Sequence, residues 1–157
     1  LQHWRFGSTD VYLDYAHNPD GLRGLLDAVG ARRRDGHFAI ILGHAGNRED
    51  ADLRAVAETA AAYRPELVVL KDIGGYERGR AAGEIAAIMR PALLSAGMPE
   101  TAIEIVLDEV EAARRLLQWA KQDDLVVLPV HDPAVRAQLV ALLDTLHARQ
   151  WRPGQAL

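Results

Sequence analysis

The sequence predicts an α/β domain whose doubly wound, mostly parallel sheet carries helices on both faces, in a Rossmann-like arrangement with a short N-terminal hairpin. Apolar strand-like runs alternate along the chain with segments of helical periodicity, which is the pattern of consecutive βα units. The runs Phe38–Leu42 and Leu67–Leu70 are continuously apolar, as expected for parallel strands covered on both faces. The 157 residues suffice for one domain with one ordinary hydrophobic core.

Composition excludes several classes of protein. The net charge is −4, so the chain lacks the basic surface that nucleic-acid binding requires, and we expect no nucleic-acid partner. There are no cysteines, which excludes disulfides and thiolate chemistry. No apolar run is long enough to cross a bilayer and the first residues do not form a signal peptide, so we expect no membrane partner and a cytoplasmic location. The chain begins without Met, and we expect residues 1–157 to be a single domain excised from a longer multidomain protein.

The first predicted elements are a hairpin and a helix. Residues 4–6 and 11–13 form the arms of the hairpin, residues 7–9 form its turn, and the second arm enters the sheet. Asn18 is a helix N-cap with Pro19 at the first helical position, and apolar residues then recur at helical spacing. Three arginines at residues 32–34 suit the last turn of this helix, and Gly36 suits its end.

The rest of the chain repeats strand and helix. The strand Phe38–Leu42 precedes a helix that stops near Tyr63, and the strand Leu67–Leu70 precedes one that stops at Gly97. Residues 103–107 and 125–129 are the next strands, each followed by a helical pattern, and residues 131–133 cap the final helix. Right-handed crossovers then place every strand from residue 11 onward in one parallel sheet.

Two side chains at the end of the second hairpin arm have no obvious structural role. Ligands of open α/β sheets bind at the carboxyl ends of the strands, where Asp14 and His17 should lie. A carboxylate there accepts both hydroxyls of a ribose; the alternative, that Asp14 caps the next helix, is weakened because Asn18 already supplies the cap. His17 lacks a nucleophile and an orienting partner for a triad, so from the residues alone it is interpreted as a structural histidine.

Two polar loops follow the next strands. Residues 43–50 contain two glycines and lead into a helix, which suits a loop that cradles an anion, although the Walker A ending is absent and a plain connection is the alternative. Residues 71–80 form the most polar connection. Its Arg78 and Arg80 are candidates for clamping an α-carboxylate, because guanidinium pairs with carboxylate through two parallel hydrogen bonds. The alternative is a solvated loop whose charges pair with one another.

No metal site is predicted. The six histidines are scattered at positions 3, 17, 37, 44, 131 and 147, and no two lie at a ligand spacing such as i, i+4 on one helix. His131-Asp132 precedes Pro133, so this pair is interpreted as a helix cap.

The stretch Asp14-Tyr15-Ala16-His17-Asn18-Pro19 resembles the signature that opens the C-terminal domain of the Mur ligases, a domain shared by folylpolyglutamate synthases and cyanophycin synthetases. Further segments are similar to the cyanophycin synthetase branch, and the resemblance covers nearly the whole chain. These segments are Asn47-Arg48-Glu49-Asp50, Arg78-Gly79-Arg80, Gly83-Glu84-Ile85-Ala86 and Leu107-Asp108-Glu109.

The resemblance implies an ATP-dependent ligase that forms an amide bond through an acyl phosphate. It implies ATP contacts for Asp14, His17 and Asn18, with the Asp on the ribose, and substrate contacts for Arg48, Asp72, Arg78 and Arg80. ATP and Mg²⁺ would be held mainly by a preceding central ATPase domain, over which this domain closes to present the amine. The partners implied are an amino acid, arginine in cyanophycin synthetases, and a growing peptide or polymer; the isolated domain would be inactive.

Two features depart from the family pattern. An ATP-contacting Arg upstream of the opening strand falls outside this chain. The Gly-Lys-Gly-His-Glu element of many Mur ligases is replaced by residues 128–133, Leu-Pro-Val-His-Asp-Pro, which argues against the peptidoglycan members. The alternative from another class is a non-catalytic α/β module that binds a nucleotide or a small acid.

Overall fold

The computed structural model describes residues 1–157 and contains six strands and five α-helices. In chain order they are β1 (Gln2–Phe6), β2 (Thr9–Asp14), α1 (Pro19–Ala28), β3 (Phe38–Leu42), α2 (Asp50–Ala61), β4 (Leu67–Leu70), α3 (Glu84–Ser95), β5 (Ile103–Ile105), α4 (Glu109–Trp119), β6 (Leu125–Pro129) and α5 (Pro133–Ala148). A single 3-10 turn, Glu100–Ala102, precedes β5. No helix is long and apolar enough to cross a membrane.

The strands form one sheet in the order β1-β2-β6-β3-β4-β5. Only the β1–β2 pair is antiparallel; the other four pairs are parallel. The predicted hairpin, the mostly parallel sheet and the α/β class are therefore confirmed.

Helices cover both faces of the sheet, which confirms the doubly wound arrangement. Side chains of β3 alternate between two cores: Phe38, Ile40 and Leu42 belong to the core under α1, α2 and α3, whereas Ala39 and Ile41 belong to the core under α4 and α5. A strand buried on both sides has no polar face, which is why its sequence is a continuous apolar run.

Helix α1 begins as predicted and ends earlier than predicted. The Asn18 side chain accepts a hydrogen bond from the Gly21 amide at 2.7 Å, and Pro19 is the first helical residue. The prediction that the helix runs to the three arginines is wrong, because α1 ends at Ala28 and Gly30 takes a left-handed φ of 73°. Gly36 instead permits a close approach of two backbones, since a Cβ at this position would lie 2.2 Å from the Asp123 carbonyl oxygen.

The sheet has a switch point between β3 and β6. These neighbouring parallel strands lead into helices on opposite faces, β3 into α2 and β6 into α5. The connections after them diverge, which opens a crevice at the carboxyl edge of the sheet, where ligands of such folds bind.

Candidate functional site

A crevice of about 370 Å³ lies at this switch point. Its polar and aromatic lining residues come from the connections after β2, β3, β4 and β6: Tyr15, His17, His44, Asn47, Arg48, Tyr76, His131 and Asp132. Four segments far apart in sequence thus meet at one edge of the sheet.

The connection after β2 contains the three residues assigned to ATP. His17 lines the crevice. Asp14 and Asn18 do not; Asp14 accepts a hydrogen bond from the Ala16 amide at 3.0 Å, and Asn18 caps α1. Asp14 therefore does not cap the helix, and its second carboxylate oxygen lies 3.2 Å from the ammonium group of Leu1.

Three histidines cluster in the crevice, a grouping that sequence reasoning missed. The ring centroids of His17, His44 and His131 lie 5.9 to 6.3 Å apart. Each residue follows a parallel strand by two or three positions, and those strands, β2, β3 and β6, are neighbours or next neighbours in the sheet. The strand order would have predicted that these three histidines lie close together. Their spacing along the chain does not predict it.

Two of these imidazoles bind the backbone of the connection after β2. His44 Nε2 lies 2.7 Å from the carbonyl oxygen of His17, and His131 Nε2 lies 2.8 Å from that of Ala16. Burial, followed by the charge of Lys71, lowers the pKa of His131 to about 4. Burial likewise lowers the pKa of His44. Both rings are therefore neutral at physiological pH.

The crevice does not fit a magnesium ion. Mg²⁺ takes oxygen ligands in octahedral geometry and is usually bound through carboxylates. The crevice offers imidazole and guanidinium nitrogens, the Asn47 amide, two tyrosine hydroxyls and a single carboxylate, Asp132, which caps α5 by accepting from the Ala134 amide at 2.9 Å. No group of three His, Asp or Glu side chains is arranged to hold a metal ion.

The predicted substrate residues are divided between the crevice and the loops that frame it. Arg48 lines the crevice. Arg78 lies over the ring of Tyr76, 5.3 Å from its centroid. Asp72 is 8% exposed, and one of its carboxylate oxygens accepts from the Gly83 amide at 2.9 Å.

Arg80 is bound by the protein through three of its guanidinium nitrogens. It donates to the carbonyl oxygens of Gly46 at 3.0 Å and Arg48 at 2.8 Å, and to the carboxylates of Asp50 and Glu84, both at 2.7 Å. Four of its five N–H groups are thereby engaged. The salt bridges of this region are made by Arg80 and leave Arg48 uncommitted.

The loops after β3 and β4 pack backbone against backbone. The Gly46 amide donates to the Tyr76 carbonyl oxygen at 2.8 Å, and a Cβ on Gly46 would lie 1.7 Å from the Glu77 carbonyl oxygen. A Cβ on Gly43 would lie 2.4 Å from the Lys71 carbonyl oxygen. Only glycine permits this approach, so the two loops form one packed unit beside Arg48.

A buried ion pair lies below the crevice and was also missed from the sequence. Lys71, at the end of β4, is 0% exposed, and Glu109, the first residue of α4, is 3% exposed. Lys71 Nζ donates to Glu109 at 2.7 Å. Burial lowers the pKa of Lys71, opposed by the charge of Glu109. In the sequence, a lysine after an apolar strand suggested the start of an exposed loop.

Comparison with known proteins agrees with this architecture. Residues 2–129 match the family "Mur ligase, glutamate ligase domain". The chain is 32% identical to the cyanophycin synthetase of Synechocystis sp. over 125 residues, which is 80% of this chain and 14% of the relative. It is 29% identical over 118 residues to the UDP-N-acetylmuramoyl-L-alanyl-D-glutamate--2,6-diaminopimelate ligase of Caldanaerobacter subterraneus subsp. tengcongensis, covering 75% of this chain and 23% of the relative. The chain thus spans less than a quarter of the length of either relative.

Solved structures share the fold. A UDP-N-acetylmuramoyl-L-alanyl-D-glutamate--2,6-diaminopimelate ligase superposes with a TM-score of 0.70 at 21% identity, covering 93% of this chain and 31% of the other. A murein peptide ligase from Psychrobacter arcticus superposes with a TM-score of 0.62 at 17% identity, covering 88% of this chain and 28% of the other.

Proposed function

Because this chain belongs to the Mur ligase family, through its glutamate ligase domain, we propose that it is the C-terminal domain of an ATP-dependent ligase similar to cyanophycin synthetase. In the first step the γ-phosphoryl group of ATP moves to a substrate carboxylate, which gives an acyl phosphate and ADP. The amine of an amino acid then attacks the acyl carbon, phosphate leaves, and the amine loses a proton. The product is an amide bond.

The observation that carries the proposal is the crevice at the switch point, where the connection containing His17 faces the loop containing Arg48. This proximity supports the proposal, because a ligase domain needs its nucleotide segment beside its amino-acid segment. Arg48 binds the α-carboxylate of the incoming amino acid through its uncommitted guanidinium group. Arg78, held over Tyr76, extends the cationic side of this site.

Arg80 and Asp72 support the site from within the loops. Arg80 binds the backbone carbonyl of Arg48 and fixes the position from which the Arg48 side chain reaches the substrate. Asp72 holds the Gly83 amide at the start of α3. We thus assign both residues to positioning rather than to direct contact with the amino acid.

ATP binds at the connection after β2. The carboxylate of Asp14 exchanges its contact with the Leu1 ammonium for the ribose hydroxyls, from which it accepts hydrogen bonds. His17 contacts the phosphate side, and Asn18 holds the N-terminus of α1, whose positive end favours an anion. Closure of this domain over ATP excludes water from the acyl phosphate. The triphosphate and Mg²⁺ are held mainly by a preceding central domain, because the crevice offers no suitable oxygen ligands for the ion.

The amino acid is basic, as the similarity to cyanophycin synthetase suggests. A basic amino acid presents a carboxylate for Arg48 and a cation at its other end, and the crevice carries Asp132 and the ring of Tyr15 for that cation. Aromatic faces and carboxylates both attract ammonium and guanidinium groups. The acceptor is a growing peptide or polymer, and consumption of ATP fits a cytoplasmic enzyme.

The test is phosphate release by the complete gene product with ATP, Mg²⁺, an aspartate-containing acceptor and arginine, lysine or glutamate in turn. We expect a preference for arginine or lysine, and we expect Arg48→Ala to raise the KM of the amino acid about ten- to a hundred-fold, the size of a lost charge-assisted hydrogen bond. The matched control is Arg54→Ala, since Arg54 is exposed on α2. A preference for glutamate would exclude the basic site, and nucleotide binding without ligation would favour a non-catalytic module.

A further inference from the structure

Two histidines from different loops bind consecutive carbonyl groups of a third connection. His131 reaches the carbonyl oxygen of Ala16 from the loop after β6, and His44 reaches that of His17 from the loop after β3. No backbone amide is paired with either carbonyl. The two imidazoles are therefore the hydrogen-bond donors that the protein supplies to this stretch of backbone.

The hydrogen bonds to the two carbonyl oxygens determine the tautomer of both imidazole rings. A carbonyl oxygen only accepts, so Nε2 must carry the hydrogen in His44 and in His131. The opposite nitrogen, Nδ1, is buried without a partner in both residues. In His131 a proton added there would create a buried charge with no acceptor, which is unfavourable; in His44 the cost of burial outweighs a weak contact to the Ala45 backbone. The rings are thus restricted to one neutral tautomer, and each acts as a donor to the backbone.

The connection that they hold has few other hydrogen bonds, although Ala16 packs against the core. Between the end of β2 and the cap at Asn18, the Asp14 carboxylate binds the Ala16 amide at 3.0 Å. The His17 ring lies 3.4 Å from the Tyr15 carbonyl oxygen, within the same segment. The hydrogen bonds from His44 and His131 join this segment to the loops after β3 and β6. These two strands lie on either side of the switch point.

We propose that His44 and His131 are positioning residues, which clamp the backbone of residues 15–17 in the conformation that binds nucleotide. Neither imidazole needs to touch the nucleotide. Each holds a segment that contains His17 and follows Asp14, the two residues assigned to contacts with ATP. The ATP part of this inference rests on the proposed function; the clamp itself does not.

The first test separates the hydrogen bond from the shape of the side chain. Gln at either position keeps an N–H donor near the place of Nε2, whereas Leu removes it at similar size. In the complete gene product we expect His44→Leu and His131→Leu each to raise the KM for ATP about three- to ten-fold, as for one lost neutral hydrogen bond, with little effect on the KM of the amino acid. His44→Gln and His131→Gln should stay within about two-fold of the parent. His147→Leu, on the exposed side of α5, is the control.

The second test needs no nucleotide. Backbone ¹⁵N relaxation of Ala16 and His17 in the unliganded gene product should show greater motion in the Leu variants than in the Gln variants. Greater motion with an unchanged KM for ATP would uphold the clamp and overturn the ATP assignment of the segment. Unchanged motion, or equal effects of Gln and Leu, would overturn the clamp. His44→Asn and His131→Asn, which place the amide too far from the carbonyl, replace the Leu variants if those do not fold.

Discussion

At the scale of single residues, two arginine side chains at the crevice, Arg80 and Arg48, differ in their hydrogen bonding. Arg80 is engaged by the protein, with hydrogen bonds to two carbonyls and two carboxylates, whereas Arg48 is available in the crevice. The sequence could not distinguish them, because both are arginines in polar loops. The backbone path of the loop after β3 determines which guanidinium group is hydrogen-bonded within the protein and which can bind a ligand.

Replacement of Arg80 tests this division. We expect Arg80→Ala to raise the KM of the amino acid and leave that of ATP nearly unchanged, because the loop that carries Arg48 loses its anchor. Arg80→Lys should recover little, since a single ammonium cannot reach two carbonyls and two carboxylates in different directions. Steady-state kinetics of the complete gene product decides, with Arg54→Ala as control. Full recovery by lysine would show that charge alone matters at this position.

We expect the free energy of unfolding to depend on pH because of His131. Its pKa is lowered to about 4 in the folded chain from 6.5, so between these values the unfolded chain binds more protons. The free energy of unfolding should therefore fall as the pH is lowered from about 6.5 to about 4. At about 1.4 kcal/mol per pKa unit, the loss is no more than about 3.5 kcal/mol. Lys71, His44 and His17 are the charged or titratable groups that oppose protonation of this ring.

Urea unfolding of the parent and of His131→Gln across this pH range measures the effect. The parent should lose stability more steeply than the variant, because the variant has no group to titrate at this position. Parallel curves would show that His131 titrates normally in the folded chain.

At the scale of secondary-structure elements, the ion pair between Lys71 and Glu109 joins the end of β4 to the start of α4. Removal of one partner leaves the other charge buried, which typically costs about 3–5 kcal/mol, whereas replacement of both is often nearly neutral. We expect Lys71→Met to lower the free energy of unfolding by about 3–5 kcal/mol, and Lys71→Met combined with Glu109→Gln to recover most of it. Urea unfolding measures both.

A surface pair provides the matched control. Arg90 and Glu100 also lie 2.8 Å apart, but Glu100 is largely exposed, and such pairs contribute roughly 0–1 kcal/mol. Arg90→Ala should therefore cost little. A Lys71→Met variant no less stable than Arg90→Ala would contradict the buried pair.

The elements themselves could be predicted from the sequence because their signals are local. Strand β3 is a continuous apolar run, and Asn18-Pro19 marks the start of α1. The predicted end of α1 is too late because three arginines followed by Gly36 have the composition of a helix terminus. The helix ends before Gly30, which has the left-handed φ of 73° that is common just after a helix. The buried Lys71 and the histidine cluster could not be predicted from such signals, since both depend on which strands become neighbours.

At the scale of the whole molecule, the chain supplies one wall of the proposed reaction site. It has the crevice with Arg48 and the connection assigned to ATP, but no oxygen ligands arranged for Mg²⁺ and no Walker A sequence. We expect the 157-residue chain alone to show no ATP-dependent ligation and weak nucleotide binding at most. Phosphate release by this chain, compared with the complete gene product under the same conditions, checks the prediction. Turnover by the chain alone would mean that the catalytic site is contained in it.

The contact between the loops after β3 and β4 has a consequence for how related sequences can vary. Gly43 and Gly46 are three positions apart after a strand, a Gly-x-x-Gly spacing that is easily taken for a phosphate-binding loop. Here the nearest obstruction at each glycine is a main-chain oxygen, of Lys71 and of Glu77, and at Gly43 the Lys71 side chain adds to it. The main-chain oxygens are present whatever side chains occupy these positions. Relatives that keep this contact must retain both glycines, whereas the more exposed residues 74–77 can change, so substrate preference can change by substitution at 74–77 without compensating changes in residues 43–46.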